Sequence, residues 1–238
     1  SSPRTITVTP AQTARLGETD VFIELDVAPE GPVYVQSQVL LTVRLFLDTS
    51  VRFQNATLSE PEASDGDLVV EHIAEERSQQ RLGERNYQVF EQRYALFPQR
   101  SGELALAPVV FSADMRSYLQ GSAYRRVQSD PITLNVRPAA PSAGSGPWLP
   151  ATEVTLEQAF PQMDAGGALV ARVGEPITRS VTLSALGLTA AQLPPVPVEV
   201  PDDFKVYPDQ PALDQRITEN GVRGERVERL SMLPTQAG

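Results

Sequence analysis

Apolar and polar residues alternate along much of the chain, which is the pattern of strands with one buried face. Residues 21–27 (VFIELDV) carry apolar side chains at every second position, and this period of two predicts a half-buried strand. Residues 39–47 (VLLTVRLFL) are longer and more apolar, as expected for a central strand. The same pattern predicts further strands over 68–73, 87–97, 104–110 and 132–136.

A corner between two strands occurs twice. Residues 94–111 (YALFPQRSGELALAPVVF) join two apolar strands through a Pro-to-Gly corner, and the first half of this stretch returns at 230–238 (LSMLPTQAG). Residues 173–183 likewise parallel 35–45, and 203–206 parallel 67–70, in the same order and at nearly the same spacing. Three ordered matches predict an internal repeat.

These patterns predict an all-β fold of tandem immunoglobulin-like β-sandwich modules, the last one truncated. Residues 1–10 resemble 131–138 and are expected to be the terminal strand of a preceding module. Residues 18–138 are expected to form a complete sandwich, 139–150 a linker, and 151–238 a second sandwich cut after its corner. A sandwich without its last strands exposes an edge, so we expect a domain-swapped dimer, capping by a neighbour, or an open edge.

The remaining segments give weaker patterns. Residues 48–66 contain Pro and a Ser-Asp-Gly turn and are predicted to be a loop. Residues 75–85 are polar, which indicates either the tip of a long hairpin or a mobile loop. Residues 112–129 interrupt the alternation and fit either a weak amphipathic helix or a long connecting loop. Trp148, the only tryptophan, is expected to pack against a domain edge.

Charge and composition exclude several classes of function. The formal net charge of −10 argues against nucleic acid and anionic membrane surfaces, which need clustered Lys and Arg. The absence of cysteine excludes disulfides, thiolate metal sites and Cys nucleophiles. No apolar run is long enough to span a bilayer, so a signal peptide or anchor is expected outside this segment.

Candidate catalytic residues are few. His72 is the only histidine and lies on a predicted strand without a G-x-S-x-G elbow. Seven acidic residues cluster between positions 60 and 76, but their spacing matches no EF-hand, and solvated loop acids are commoner than calcium sites. We therefore predict a non-enzymatic protein without a cofactor or metal.

Four segments carry a family resemblance: 33–46 (VYVQSQVLLTVRLF), 87–113 (YQVFEQRYALFPQRSGELALAPVVFSA), 145–151 (SGPWLPA) and 187–198 (GLTAAQLPPVPV). Together they resemble the BatD family of bacterial envelope proteins associated with oxygen tolerance (aerotolerance). The resemblance implies immunoglobulin-like modules on the periplasmic side of the inner membrane. It also implies partners: VWA-domain membrane proteins of the same operon and, indirectly, a MoxR-type AAA+ ATPase.

The resemblance implies a function as an interaction scaffold. VWA domains often bind a carboxylate of their partner through a metal ion, so Glu62, Asp65 and Asp67 are the candidate partner-binding residues. The alternative function is a carbohydrate- or peptide-binding adhesin-type module. An exposed aromatic patch on a sheet face would favour the adhesin, whereas a polar sheet with acidic loops would favour the scaffold.

Overall fold

The computed structural model describes residues 19–117, 121–140, 146–160, 171–199 and 201–236. These residues form an all-β protein whose strands pair antiparallel except β2 and β10, which pair parallel, with one 3-10 turn at Ala190–Gln192. The strands are β1 Val21–Ala28, β2 Val33–Tyr34, β3 Val39–Asp48, β4 Arg52–Leu58, β5 Leu68–Leu82, β6 Arg85–Pro98, β7 Gly102–Leu106, β8 Val110–Ser117, β9 Gly121–Gln128, β10 Ile132–Arg137, β11 Glu153–Ala159, β12 Ile177–Leu186, β13 Phe204–Pro208, β14 Ala212–Thr218 and β15 Gly221–Pro234.

The first unit is a β-sandwich built on a four-stranded sheet of order β1-β3-β6-β5. One end of its inner face packs against the sheet β2-β10-β7, and the other end against the sheet β4-β8-β9. Alternate residues of β3 supply the core, as the sequence pattern predicts; the buried set shared with the opposing sheet includes Val39, Leu41, Val43, Leu96, Leu104, Leu134 and Val136. Burial of such side chains stabilises the sandwich by about 1.5–3 kcal/mol each.

The second unit repeats the pairing of the first sheet. It is a single sheet of order β11-β12-β15-β13, with β14 also paired to β15. Val39 pairs with Leu96 in the first unit, and Ile177 pairs with Met232 at the matching position of the second. The corners also match, because Leu68 pairs with Pro98 and Phe204 with Pro234. The predicted internal repeat is therefore confirmed at the level of strand register.

Two local predictions were wrong. Within the predicted helix or loop at 112–129, the described residues 112–117 and 121–128 belong to strands β8 and β9, which pair antiparallel. Phe111, Ala113 and Met115 are buried at alternate positions, and the small and charged residues between them obscured this period of two. The predicted loop 48–66 contains β4, a mostly exposed edge strand that the sequence pattern did not reveal because almost none of its side chains is buried.

The polar segment 75–85 is the tip of a long hairpin, one of the two alternatives that the sequence left open. β5 and β6 pair without interruption from Ala74–Arg93 to Leu82–Arg85, and Gly83 turns the chain at φ +61°. The predicted terminal strand at 1–10 lies outside the described residues, and so does part of the predicted linker 139–150. Residues 139–140 and 146–150 have no helix or strand.

A partly buried ion-pair group closes one end of the first sheet. Nη1 of Arg85 lies 2.7 Å from Oδ1 of Asp20 and 2.9 Å from Oδ2 of Asp48, which is only 5% exposed. Burial by itself would raise the pKa of Asp48, but hydrogen bonds from Ser50 and Arg85 outweigh it and lower that pKa. Tyr87, fully buried beside this group, donates to the Thr19 carbonyl at 2.7 Å.

The apolar face of the second sheet is partly open. Leu183 and Ala185 are covered by Leu188 and Leu193 of the segment that follows β12. On the two outer strands the same face is exposed: Leu156 of β11 is 61% exposed and Leu213 of β14 is 51% exposed. Within the described residues, no helix is both long enough and apolar enough to cross a membrane.

Candidate functional site

The three acidic residues predicted to bind a partner lie between β4 and β5, and two of them are bound within the molecule. Arg100, from the β6–β7 corner, forms ion pairs with Asp65 and with Asp67, where Nε lies 2.7 Å from Oδ2. The hydrogen bond from Arg100 lowers the pKa of Asp65. Both carboxylates are therefore already paired with one guanidinium, and the three groups together keep a formal charge of −1.

Glu62 differs from its two neighbours. Its main-chain carbonyl accepts a 2.9 Å hydrogen bond from the Ala107 amide, which holds the segment against the β7 side of the sandwich. Its side chain is exposed and has no ion pair within the described part of the chain. Of the three candidates, Glu62 alone presents a free carboxylate to solvent.

His72 lies in a strand and not in a catalytic arrangement. Its ring packs edge-on against Tyr94 with 5.3 Å between ring centroids, and the side chain is exposed on β5. No group of three or more His, Asp or Glu side chains within the described ranges is placed to hold a metal ion. The absence of catalytic activity stays a prediction.

The structure brings together a set of residues that the sequence did not single out, at the contact between the two units. Nε2 of Gln38 donates to the Asn220 carbonyl at 3.0 Å, and its Oε1 accepts from the Val222 amide at 2.8 Å. The Val222 side chain is fully buried against Ala95 and Phe97 on the outer face of the first sheet. Apolar contact and paired hydrogen bonds thus join the two units.

A second contact involves the turn before β3. The Ser37 amide donates to the Tyr34 carbonyl at 3.1 Å, and Gln36 inside this turn has φ +65°, which is uncommon for a residue other than glycine. The Gln36 carbonyl accepts a 3.0 Å bond from Nε2 of Gln192 in the second unit. The distorted turn is therefore stabilised from across the junction.

Trp148 contacts the same part of the first unit, as predicted for a tryptophan at a domain edge. Its indole Nε1 donates to the Val35 carbonyl at 2.9 Å, and its ring packs edge-on against Tyr34. A buried or half-buried indole normally needs such a partner for its N–H group. The chain is thus anchored to the first unit just before the second begins.

A cleft of about 520 Å³ lies between the units. Its floor is the outer face of β5 and β6, with the side chains of Val69, Glu71 and Phe97 and, just after β6, Gln99. They share that face because Val69 pairs with Phe97 and Glu71 with Ala95. The walls are formed by Gln36 and by residues of the second unit, namely Thr189, Ala191, Gln192 and Gln215.

This cleft could not be predicted from the sequence, because glutamine carries no recognisable motif and is usually a surface residue. The one available signal was the polar run VQSQ at 35–38 immediately before the most apolar strand. Its repeat counterpart, 173–176, is VGEP, so Gln36 and Gln38 have no equivalent glutamines in the second unit. A polar pair present in one repeat and absent from the other indicates a role outside the shared core.

Comparisons with known proteins identify no family. No protein-family model and no curated protein matches the sequence. Among solved structures, the C-terminal domain of the Streptococcus agalactiae AgI/II polypeptide BspA is 7% identical with a TM-score of 0.19, covering 91% of this chain and 92% of that one. The Escherichia coli adhesin FdeC is 15% identical with a TM-score of 0.16, covering 93% of this chain and 58% of that one. The strand pairing described above defines the fold as all-β.

Proposed function

We propose that the chain is a non-enzymatic interaction scaffold of a BatD-like aerotolerance protein on the periplasmic side of the inner membrane. It assembles with VWA-domain membrane proteins and, through them, with a MoxR-type AAA+ ATPase. The sequence resemblance of four segments supports the family. The repeated β units joined at Gln38 support the scaffold function. A scaffold must hold its binding surfaces in a fixed orientation relative to one another.

The observation that carries the proposal is the free carboxylate of Glu62 beside Asp65 and Asp67, which are both paired with Arg100. A VWA domain that uses a metal ion needs one unpaired carboxylate from its partner to complete the metal's oxygen ligands. Asp65 and Asp67 would first have to leave Arg100. We therefore assign docking to Glu62 and a positioning role to the Arg100 pair, which braces the same segment.

The distribution of exposed aromatic side chains favours the scaffold over the adhesin-type alternative. Tyr34, Tyr124 and Tyr207 are the aromatic residues among the exposed large side chains of the described chain. They belong to β2, β9 and β13, which lie in three different sheets. They form no common face on which a sugar ring could stack.

The test is a binding measurement with the purified VWA domain encoded beside this protein, in magnesium and again in EDTA. We expect metal-dependent binding that falls at least about tenfold in Glu62→Gln, since a lost charged ligand costs more than about 1.4 kcal/mol. The double variant Asp65→Asn, Asp67→Asn is the matched comparison and should bind nearly as the wild type does. Unchanged affinity of Glu62→Gln would overturn the docking point, and absence of any VWA binding would overturn the scaffold.

A further inference from the structure

We propose that the cleft between the two units binds an extended peptide segment of a partner protein, one that carries an aliphatic and a basic side chain two residues apart. This inference concerns a different surface from Glu62 and does not depend on the scaffold's partners. Three features of the cleft support it: the spacing of side chains on its floor, its negative charge, and the amide groups of its walls.

The floor sets the spacing of the ligand's side chains. Val69 and Glu71 stand two residues apart on one face of β5, and Val69 is 40% exposed although it is apolar. Alternate residues of an extended peptide also point to one side. A strand lying over β5 can therefore place an aliphatic side chain on Val69 and a basic one on Glu71.

The charge of the cleft selects the basic residue. Of the described residues, Glu71 is the only charged one that lines the cleft, and it has no ion pair among them. The chain as a whole carries a net charge of −10. A Lys or Arg on the ligand would therefore be attracted over a distance and then paired at Glu71, whereas an acidic ligand would be repelled.

The walls provide groups that match a peptide main chain. The carboxamides of Gln36 and Gln215 line the cleft from the two units and have no hydrogen-bond partner in the part of the chain that the structure describes. A carboxamide offers one acceptor and two donors, the complement of a peptide unit. Gln38 already binds a strand in this way, taking the Asn220 carbonyl and the Val222 amide together.

Features around the cleft favour a peptide over a sugar. The aromatic residue that lines it, Phe97, is fully buried in the floor and presents no face for stacking. Leu213 and Ile217, which flank Gln215 on the same face of β14, are 51% and 45% exposed. These features fit an extended peptide. Its aliphatic side chains can pack on Leu213 and Ile217, and its main chain can hydrogen-bond to the unpaired carboxamides.

The experiment is an NMR titration of the whole chain with the capped pentapeptide Val-Thr-Lys-Thr-Val and with Val-Thr-Glu-Thr-Val as the matched acidic probe. We expect saturable shifts of the main-chain amides of Glu71 and Gln215 and of the Gln36 and Gln215 carboxamides with the lysine peptide only. Glu71→Gln should raise its dissociation constant about tenfold, and Gln215→Ala about threefold to tenfold. Glu76→Gln, an equal change of charge further along β5, should leave it unchanged.

Several results would overturn the proposal. Equal binding of the two peptides would remove the role of Glu71, and so would an unchanged affinity of Glu71→Gln. Absence of saturable shifts up to 10 mM peptide (about 2.7 kcal/mol of binding free energy) would show that the cleft is no peptide site. Shifts of the cleft amides that depend on protein concentration without peptide would instead identify a second copy of the chain as the occupant.

Discussion

The main-chain amide of Val222 donates a 2.8 Å hydrogen bond to Oε1 of Gln38, which lies 184 positions earlier in the chain. This bond extends the hydrogen bonding along β15 past the point where its partner strand β12 ends. Leu186, the last residue of β12, pairs with Arg223, and beyond it the Gly187 amide donates to the Val222 carbonyl. The Gln38 side chain of the first unit thus accepts the hydrogen bond of a main-chain amide at the start of β15 in the second unit.

Replacing Gln38 tests whether this contact sets the geometry of the two units. Gln38→Leu removes both hydrogen bonds and leaves the Val222 amide without its partner, which costs about 1–3 kcal/mol at a buried site. We expect the wild-type units to share one alignment tensor in residual dipolar couplings and the units of the variant to require two.

Gln79→Leu is the matched control, because Gln79 is exposed on the β5–β6 hairpin away from the junction. It should retain the single tensor. A single tensor in Gln38→Leu as well would mean that the apolar contact of Val222 holds the units by itself.

Gly224 allows the 3-10 turn to lie on the second sheet, and a side chain there should separate them. A Cβ at this position would lie 2.6 Å from the Ala190 amide nitrogen. Since main chain cannot move aside as a side chain can, we expect Gly224→Ala to lower the free energy of unfolding by about 1–3 kcal/mol.

Urea denaturation followed by circular dichroism would measure this loss. Glu225→Ala is the control, because Glu225 is the next residue of β15 and points to the opposite, polar face of the sheet. Equal stability of Gly224→Ala and the wild type would show that the turn and sheet are not in close contact.

The Asp48–Arg85 ion pair predicts a dependence of stability on pH. Folding lowers the pKa of Asp48 below its ordinary value of 3.8, so the unfolded chain takes up the proton first as the pH falls. The contribution of Asp48 is therefore fully present above about pH 4 and is lost as the pH falls through the lowered pKa.

Asp48→Asn should lose about 1–3 kcal/mol at pH 7, and its difference from the wild type should shrink towards pH 2. Urea denaturation at a series of pH values checks both statements. Asp26→Asn, on the exposed side of β1, is the control and should show no such difference. A pH-independent gap between Asp48→Asn and the wild type would assign the loss to packing instead of charge.

Arg100 should control the titration of Asp65. Its hydrogen bond is the main cause of the lowered pKa of Asp65, so Arg100→Met should return that pKa towards 3.8. Titration of the side-chain carboxyl carbons by NMR would measure the change. Arg137→Met, which removes an exposed guanidinium from β10, should leave Asp65 as it is in the wild type. An unshifted Asp65 in Arg100→Met would contradict the ion pair.

Several parts of this molecule could be predicted from the sequence because they depend on neighbouring residues. The period of two in β1 and β3 predicted the strands, and the Pro-to-Gly corner predicted a repeat whose register the structure reproduces at Val39–Leu96 and Ile177–Met232. Side chains that alternate in the sequence must point to opposite faces of a strand. Strands and their faces can therefore be predicted without knowing what the strand packs against.

Other features were decided only by the tertiary structure. Asp65 and Asp67 looked like free loop acids until the corner brought Arg100 to both of them, and this left Glu62 as the free carboxylate. Gln38 and Val222 are distant in the sequence and meet only when the two units dock. Glu71 and Gln215 are likewise distant in the sequence and come to line one cleft only in the folded chain. Local pattern determines strands and their faces, but contacts between sheets depend on the whole arrangement, because a polar side chain is equally compatible with solvent and with a partner.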